Sequence, residues 1–533
     1  MSRHLYSCLG CGLFLAIFNF SCPVLKAQVV TGRPLPQFSE SGLISSVAAN
    51  RSGLERAWFT QVELDSSHSK VSYVTLYVSS SVSKTIHEVS HDRGKELFSD
   101  RELDSFGEPL GVEGAKKLAD EKVRELTALG FNPKLDTREM PEITLYVVTD
   151  HGLVQAIDGE TGRTRWSAQI GKSDHPTLEP AANDDYLAVI NGSVLYVANA
   201  KDGTLVWQRQ LRGVPGAGPG ISLELVHVPM ITGMMETYNL KDWRRPPSFF
   251  QSVGRAVIQP TVTPNSVAWP TDRGHVYVGR ANVYGSRYRL VAHDTIVAPA
   301  SYLAPNHFFV ASFDGYVYCV QESSGEVLWR FSTGKPISHP PVVIQDAVYV
   351  INDDGGMYCV AVANGQEQWW TPNVRYFLAA SNDRVYTTDK IGRILIIDDS
   401  TGSRISTIAV PHLDLQLINF STDRIYVGTT RGLIQCLHEP QLELPLVYAA
   451  PPKPEEKPKI EQKGLDETET KPAPKAPTAS PFDSPFGGAD PFGAAPSGGT
   501  SPKPAAPAGG GADPFGGGAD PFGGGADPFG GSP

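Results

Sequence analysis

The sequence predicts an all-β fold, a β-propeller of radially arranged four-stranded sheets, on three observations. A turn glycine follows a β-rich run eight times at a nearly constant interval, the runs are short and rich in branched and aromatic residues, and no 3.6-residue apolar periodicity occurs between residues 141 and 440. The glycines are Gly152, Gly192, Gly233, Gly274, Gly315, Gly355, Gly392 and Gly432, spaced 40, 41, 41, 41, 40, 37 and 40. A period near 40 made of strands is one propeller blade, whereas a helical solenoid of that period would need amphipathic helices. Eight units predict eight blades; seven is the alternative, because the first and last units are incomplete at their ends.

A second turn recurs within the units. Gly162 precedes Trp166, Gly203 precedes Trp207, Gly325 precedes Trp329 and Gly365 precedes Trp369, always by four residues. Glycine permits positive φ where strands reverse, and a flat indole can fill the wedge between neighbouring blades. These tryptophans therefore read as structural. So do Cys319, Cys359 and Cys436, which lie four residues after Gly315, Gly355 and Gly432, the place Ala156 takes after Gly152. They read as small buried residues at one repeated core position.

The stretch from Ala156 to Trp166, with Asp158, Thr161 and Gly162, matches A-x-D-x-x-T-G-x-x-x-W. In this it resembles the tryptophan-docking motif of pyrroloquinoline-quinone (PQQ) repeat propellers. Weaker copies run from Cys319 to Trp329 and from Cys359 to Trp369. In a further copy Asp398, Thr401 and Gly402 persist and Ser406 replaces the tryptophan. The third and fourth units lack most of the motif, and Trp243 is the candidate for the third. The resemblance covers roughly residues 140 to 440 and implies a scaffold, since fold alone does not specify function. It embraces quinoprotein dehydrogenases and also non-catalytic propellers similar to the BamB envelope assembly protein. Catalytic members are marked by an adjacent cysteine pair and by carboxylate and Asn ligands to calcium; downstream of the leader no Cys-Cys occurs. The expectation is a non-enzymatic interaction scaffold without cofactor, with a PQQ-dependent dehydrogenase as the alternative.

The rest of the chain divides by composition. Residues 1–27 read as a secretory signal peptide: Arg3 and His4, an apolar run from Leu5 to Phe20, then Ala27 before the cleavage point. Export to the periplasm, cell envelope or outside follows, with no span left after cleavage. Residues 28–139 form an extension with strand-like runs, a possible degenerate blade or a strand that closes the ring. It also carries an amphipathic helix over 112–129, with Ala115, Leu118, Ala119, Val123, Leu126 and Leu129 on one side. Residues 140–450 are the propeller. Residues 451–533, with 18 Pro and 17 Gly, cannot build a core and read as disordered. There Pro-Phe recurs six times, four times as Asp-Pro-Phe, a motif that could bind a partner protein repeatedly.

Acidic residues outnumber basic ones by 57 to 46, a net charge of −11 that argues against a nucleic-acid partner. The one string with catalytic form is His87-Glu88-Val89-Ser90-His91, which fits H-E-x-x-H. Zinc ligation by that motif requires a helix, which brings residues four apart onto one ion. The flanking Val82-Ser83-Lys84-Thr85-Ile86 and Asp92-Arg93-Gly94 favour strand and turn, so a zinc protease is disfavoured. Asn50, Asn191 and Asn419 fit the short glycosylation pattern.

Overall fold

The computed structural model describes residues 42–448, apart from 66, 67, 106, 411 and 412. The leader and the Asp-Pro-Phe segment lie outside the described residues. Within them the chain forms eight antiparallel sheets, seven of four strands and one of five. Six of them are meanders in which successive strands pair, as in blade 2: Ala181–Ala182, Tyr186–Asn191, Val194–Asn199 and Leu205–Gln210. The eight glycines of the long period occupy the turn between the second and third strands, all with φ between +61° and +93°.

Burial explains the apolar pattern. The second and third strands of a blade are covered on both faces by neighbouring blades, so Leu187 to Asn191 is buried without alternation. The outer strand sits where the wedge widens, and Leu205–Gln210 fully buries only Trp207.

Ring closure comes from the N-terminal side. The strand β1 (Glu55–Gln61), which follows the short helix α1 (Ser46–Arg51), pairs antiparallel with Leu433–His438 and forms the outer strand of the eighth blade. The first blade begins with β2 (Val71–His91), whose residues 71–78 pair with the end of β4 (Lys134–Thr149). The ring therefore recruits two strands upstream of residue 140, where the repeat becomes visible in the sequence.

β2 and β4 continue beyond the blade as a long ribbon. Past a break in register between Val78 and Ser83 they pair again, and β3 (Gly94–Ser99) adds a third strand. At the break, Asp184 of blade 2 accepts from Tyr77 Oη at 2.8 Å, Ser79 Oγ at 2.7 Å and the Ser80 and Ser81 amides at 2.9 and 3.0 Å. Burial pushes this carboxyl up, but the hydrogen bonds outweigh it and hold it down to about 2. The helix α2 (Gly111–Ala128) covers the three-stranded sheet, packing Ala119, Val123 and Leu126 on Val89, Phe98 and Phe131. Leu118 and Leu129, expected on the packed side, point to solvent at 36% and 65% exposure. The covered stripe is thus narrower than the sequence pattern suggested.

Candidate functional site

The docking-motif turns and their aromatic rings lie at the seams between blades. In blade 1 the Asp158 carboxylate accepts the amides of Glu160 and Thr161 at 3.0 and 2.9 Å, and the Gly162 amide returns to the Asp158 carbonyl at 2.9 Å. This fixes the turn against which the preceding blade docks. Trp166 donates Nε1–H to the Ala200 carbonyl of blade 2 at 3.0 Å, and its ring lies where a Cβ on Gly203 would stand, 2.5 Å from such an atom. Trp207 donates to Leu240 of blade 3, Trp329 to Val362 over Gly365, and Trp369 to Asp399 over Gly402. Ala156, Cys319, Cys359 and Cys436 are buried on the third strands of their blades.

Three seams depart from the motif. Tyr288 takes the indole's place between blades 4 and 5, over Gly325 and bonded to the Glu322 carbonyl at 2.9 Å. Between blades 3 and 4, Phe250 packs edge-on at 5.8 Å from Trp269. Trp243, the sequence candidate for blade 3, is instead 46% exposed beneath the Arg244 guanidinium. Where Ser406 stands for tryptophan, the wedge between blades 7 and 8 is filled by Ile44, Ala49 and Leu54 around α1, and Ser52 Oγ meets Ser406 Oγ at 2.9 Å. The last seam is closed by Trp58 of β1, which sequence reasoning missed. It donates to the Gly159 carbonyl at 3.1 Å and lies over Gly162.

The H-E-x-x-H string lies on β2, extended, so His87 and His91 stand roughly 13 Å apart at about 3.3 Å per residue. His87 Nδ1 meets Thr137 Oγ1 at 2.9 Å, Glu88 is held by Lys95 at 2.9 Å and Arg138 at 3.6 Å, and His91 packs on Phe131. Among the described residues no cluster of three or more His, Cys, Asp or Glu side chains is placed to hold a metal ion. Cys319, Cys359 and Cys436 are unpaired on three separate blades, and burial pushes each thiol up to about 12. The donor set implied by a quinone–calcium centre does not fit these residues. Asn191 and Asn419 are buried, with their amides engaged in turns; Asn50 is exposed.

A concave site does exist on the ring face formed by the second-to-third-strand turns and the connections between blades. It is a funnel of about 690 Å³ over blades 6 to 8, with walls including His339, Arg375, Tyr376, Lys390, Leu413 and Ile418. Arg375 lies over the Tyr376 ring at 5.1 Å, and the His339 ring meets the same tyrosine edge-on at 5.1 Å. Burial, then the nearby Arg375 charge, lowers the His339 imidazole below the usual histidine value, keeping it neutral at pH 7. The lip is Ile391, 78% exposed. No signal in the sequence marks this site, because its walls come from separate loops of three blades.

The geometry defines a closed, eight-bladed propeller held by docked aromatic residues at nearly every seam. In this it is similar to the PQQ-like repeat β-propellers: the family model described as "Outer membrane protein assembly factor BamB" matches residues 138–228 and 291–414. The unmatched stretch between falls on blades 3 and 4, where the motif is weakest. No curated protein matches the chain. Among solved structures it is similar to BamB from Moraxella catarrhalis, at 16% identity over 55% of this chain and 91% of that one, TM-score 0.47. It is similar also to the computationally designed Ika8 protein, at 15% identity over 55% and 93%, TM-score 0.46. The C-terminal WD40 domain of Sif2 is similar at 12% over 56% and 92%, TM-score 0.44.

Proposed function

We propose that this protein is an exported, non-enzymatic scaffold that binds other proteins through its propeller. The observation that carries the reading is the chemistry of the donor groups. Cys319, Cys359 and Cys436 are buried singly in blade cores, the H-E-x-x-H histidines are held apart on a strand, and the seam residues are engaged in packing. What remains available is a rigid ring presenting loops, a frame suited to recognition. The described helices include none long and apolar enough to cross a membrane. The family description, an outer membrane assembly factor, supports an envelope setting, as does the leader-like start of the sequence.

Crosslinking in intact cells, followed by fractionation and mass spectrometry, tests the role. The expected result is recovery in the envelope or exported fraction, joined to a small set of envelope or secreted proteins. Recovery in the cytosol would overturn the export. Adding PQQ and calcium to the purified chain tests the catalytic side: a bound-quinone absorbance with dye reduction would overturn the non-enzymatic reading.

A further inference from the structure

The funnel over blades 6 to 8 has an uneven supply of charge. Its carboxylates are already satisfied: Asp389 by Arg393 Nε at 2.6 Å and the Ile391 and Arg393 amides at 3.0 and 2.9 Å, Asp414 by Thr430 at 2.8 and 2.6 Å, and Asp353 by the Ser338 hydroxyl. Its cations are not. Arg375 makes no ion pair among the described residues, and Lys390 Nζ reaches only the neutral Asp354 carbonyl at 3.3 Å. His339 Nε2 is buried without a hydrogen-bond partner. Beside these groups stand the Tyr376 ring and the apolar Leu413, Ile418 and Ile391. A fitting ligand carries a carboxylate next to a flat apolar group.

The sequence contains that pairing four times, as Asp490-Pro491-Phe492, Asp513-Pro514-Phe515, Asp520-Pro521-Phe522 and Asp527-Pro528-Phe529. An X-Pro pair has fewer backbone conformations than other dipeptides, which lowers the cost of ordering a peptide that carries it. The chain's last described residue, Tyr448, is held on the opposite face of the ring. Its amide bonds the Ser421 carbonyl at 2.8 Å and its hydroxyl the Ala380 carbonyl at 3.0 Å, both beside first-to-second-strand turns. Four motifs also outnumber one funnel.

We propose that the funnel is a receptor for the Asp-Pro-Phe motif of a second copy of this chain. Arg375 and Lys390 take the aspartate; Tyr376 and the apolar wall take the phenylalanine. Such head-to-tail contacts do not close on themselves, and repeated motifs raise the effective concentration of each next one, so copies link into arrays. The proposal rests on the scaffold reading and gives it a specific partner.

The test uses the full chain. Light scattering across a concentration series should show mass rising with concentration, reversed by excess synthetic peptide copying residues 510–523. The rise should disappear when Phe492, Phe515, Phe522 and Phe529 are all replaced by Ala. In anisotropy titrations, Arg375→Ala and, separately, Ile391→Asp should bind the labelled peptide roughly tenfold more weakly with an unchanged unfolding midpoint. Crosslinking a mixture of ¹⁴N and ¹⁵N chains should give mixed-isotope pairs. A flat peptide titration, equal binding by Arg375→Ala, or crosslinks confined to single chains would overturn the proposal. The cellular crosslinks to other proteins would then still stand as an independent test of the scaffold role.

Discussion

Replacing Trp58 by Ala asks how much one aromatic side chain contributes to closing the ring. The indole is 7% exposed, packs 6.0 Å from the Tyr426 ring, covers Gly162 and donates to Gly159 of the first blade. Truncating a buried tryptophan to Ala costs about 3–5 kcal/mol, of which the hydrogen bond is about 1 kcal/mol. Trp58→Phe should cost much less. It keeps most of the ring, and the Gly159 carbonyl retains the Tyr426 hydroxyl at 3.0 Å, so no buried acceptor is stranded. Trp243→Ala is the control: half exposed, it should change stability by no more than about 0.5 kcal/mol. Urea unfolding followed by far-UV circular dichroism reads all three without relying on the fluorescence that the substitutions remove. If Trp58→Ala costs less than about 1 kcal/mol, or no more than Trp243→Ala, the role assigned to β1 is wrong.

Further predictions follow from the seams and the ribbon. Gly162→Ala places a Cβ 2.5 Å from Trp58 Cε3 at φ +71°, so it should destabilise by more than about 1 kcal/mol, and by less when Trp58 is already Ala. A chemical-denaturation double-mutant cycle measures that coupling. His227 is buried as a neutral ring, Nε2 donating to the Ala281 carbonyl at 3.0 Å and Nδ1 accepting from Thr237, and burial pushes its pKa down to about 4. The unfolded chain then binds the extra proton between about pH 6.5 and 4, so this contribution is present above pH 6.5 and is lost as pH falls through that window. Asp423, which burial pushes up to about 6 against the pull of Arg424, acts with the opposite sign below pH 6. Comparing His227→Gln with the parent chain by denaturation at pH 4.5 and 7.5 isolates the histidine, and the variant should lose less stability on acidification. Lys84 pairs with Glu160 at the base of the ribbon, both largely buried. Lys84→Ala should speed proteolysis within residues 83–141 while leaving the ring's melting temperature nearly unchanged; equal protection in both proteins would count against the pair as an anchor.

How much of this was readable in the sequence depended on whether a feature repeats. The second-to-third-strand turns demand positive φ, so glycine marks them at a fixed interval. The docking tryptophans share a glycine four residues upstream; Asp158 and Thr161 mark the full turn before Trp166, and Asp398 and Thr401 preserve that turn even where Ser406 has lost the indole. Trp58 carries no such signal. Its partner strand lies some 375 residues later, and β1 has no turn motif before it because it enters as the last strand of a blade begun at the other end of the repeat. Tyr288 and Phe250 were hidden because a wedge can be filled by any flat ring, so the seams share a shape rather than a residue type. The 21 residues of β2 could not be divided, since nothing in Val78 to Ser83 marks where blade ends and ribbon begins; Asp184, a hundred residues on, fixes the break.

The closed ring depends most on the N-terminal strand completing the eighth blade. Hydrogen exchange of the full chain, resolved to peptides covering 55–61 and 433–438, examines this directly. If β1 closes the ring, both segments should exchange slowly and at closely similar rates, and Trp58→Ala should speed both together. Fast exchange at 55–61 beside a protected 433–438 would mean that the blade stands without it, and the closure described here would be wrong.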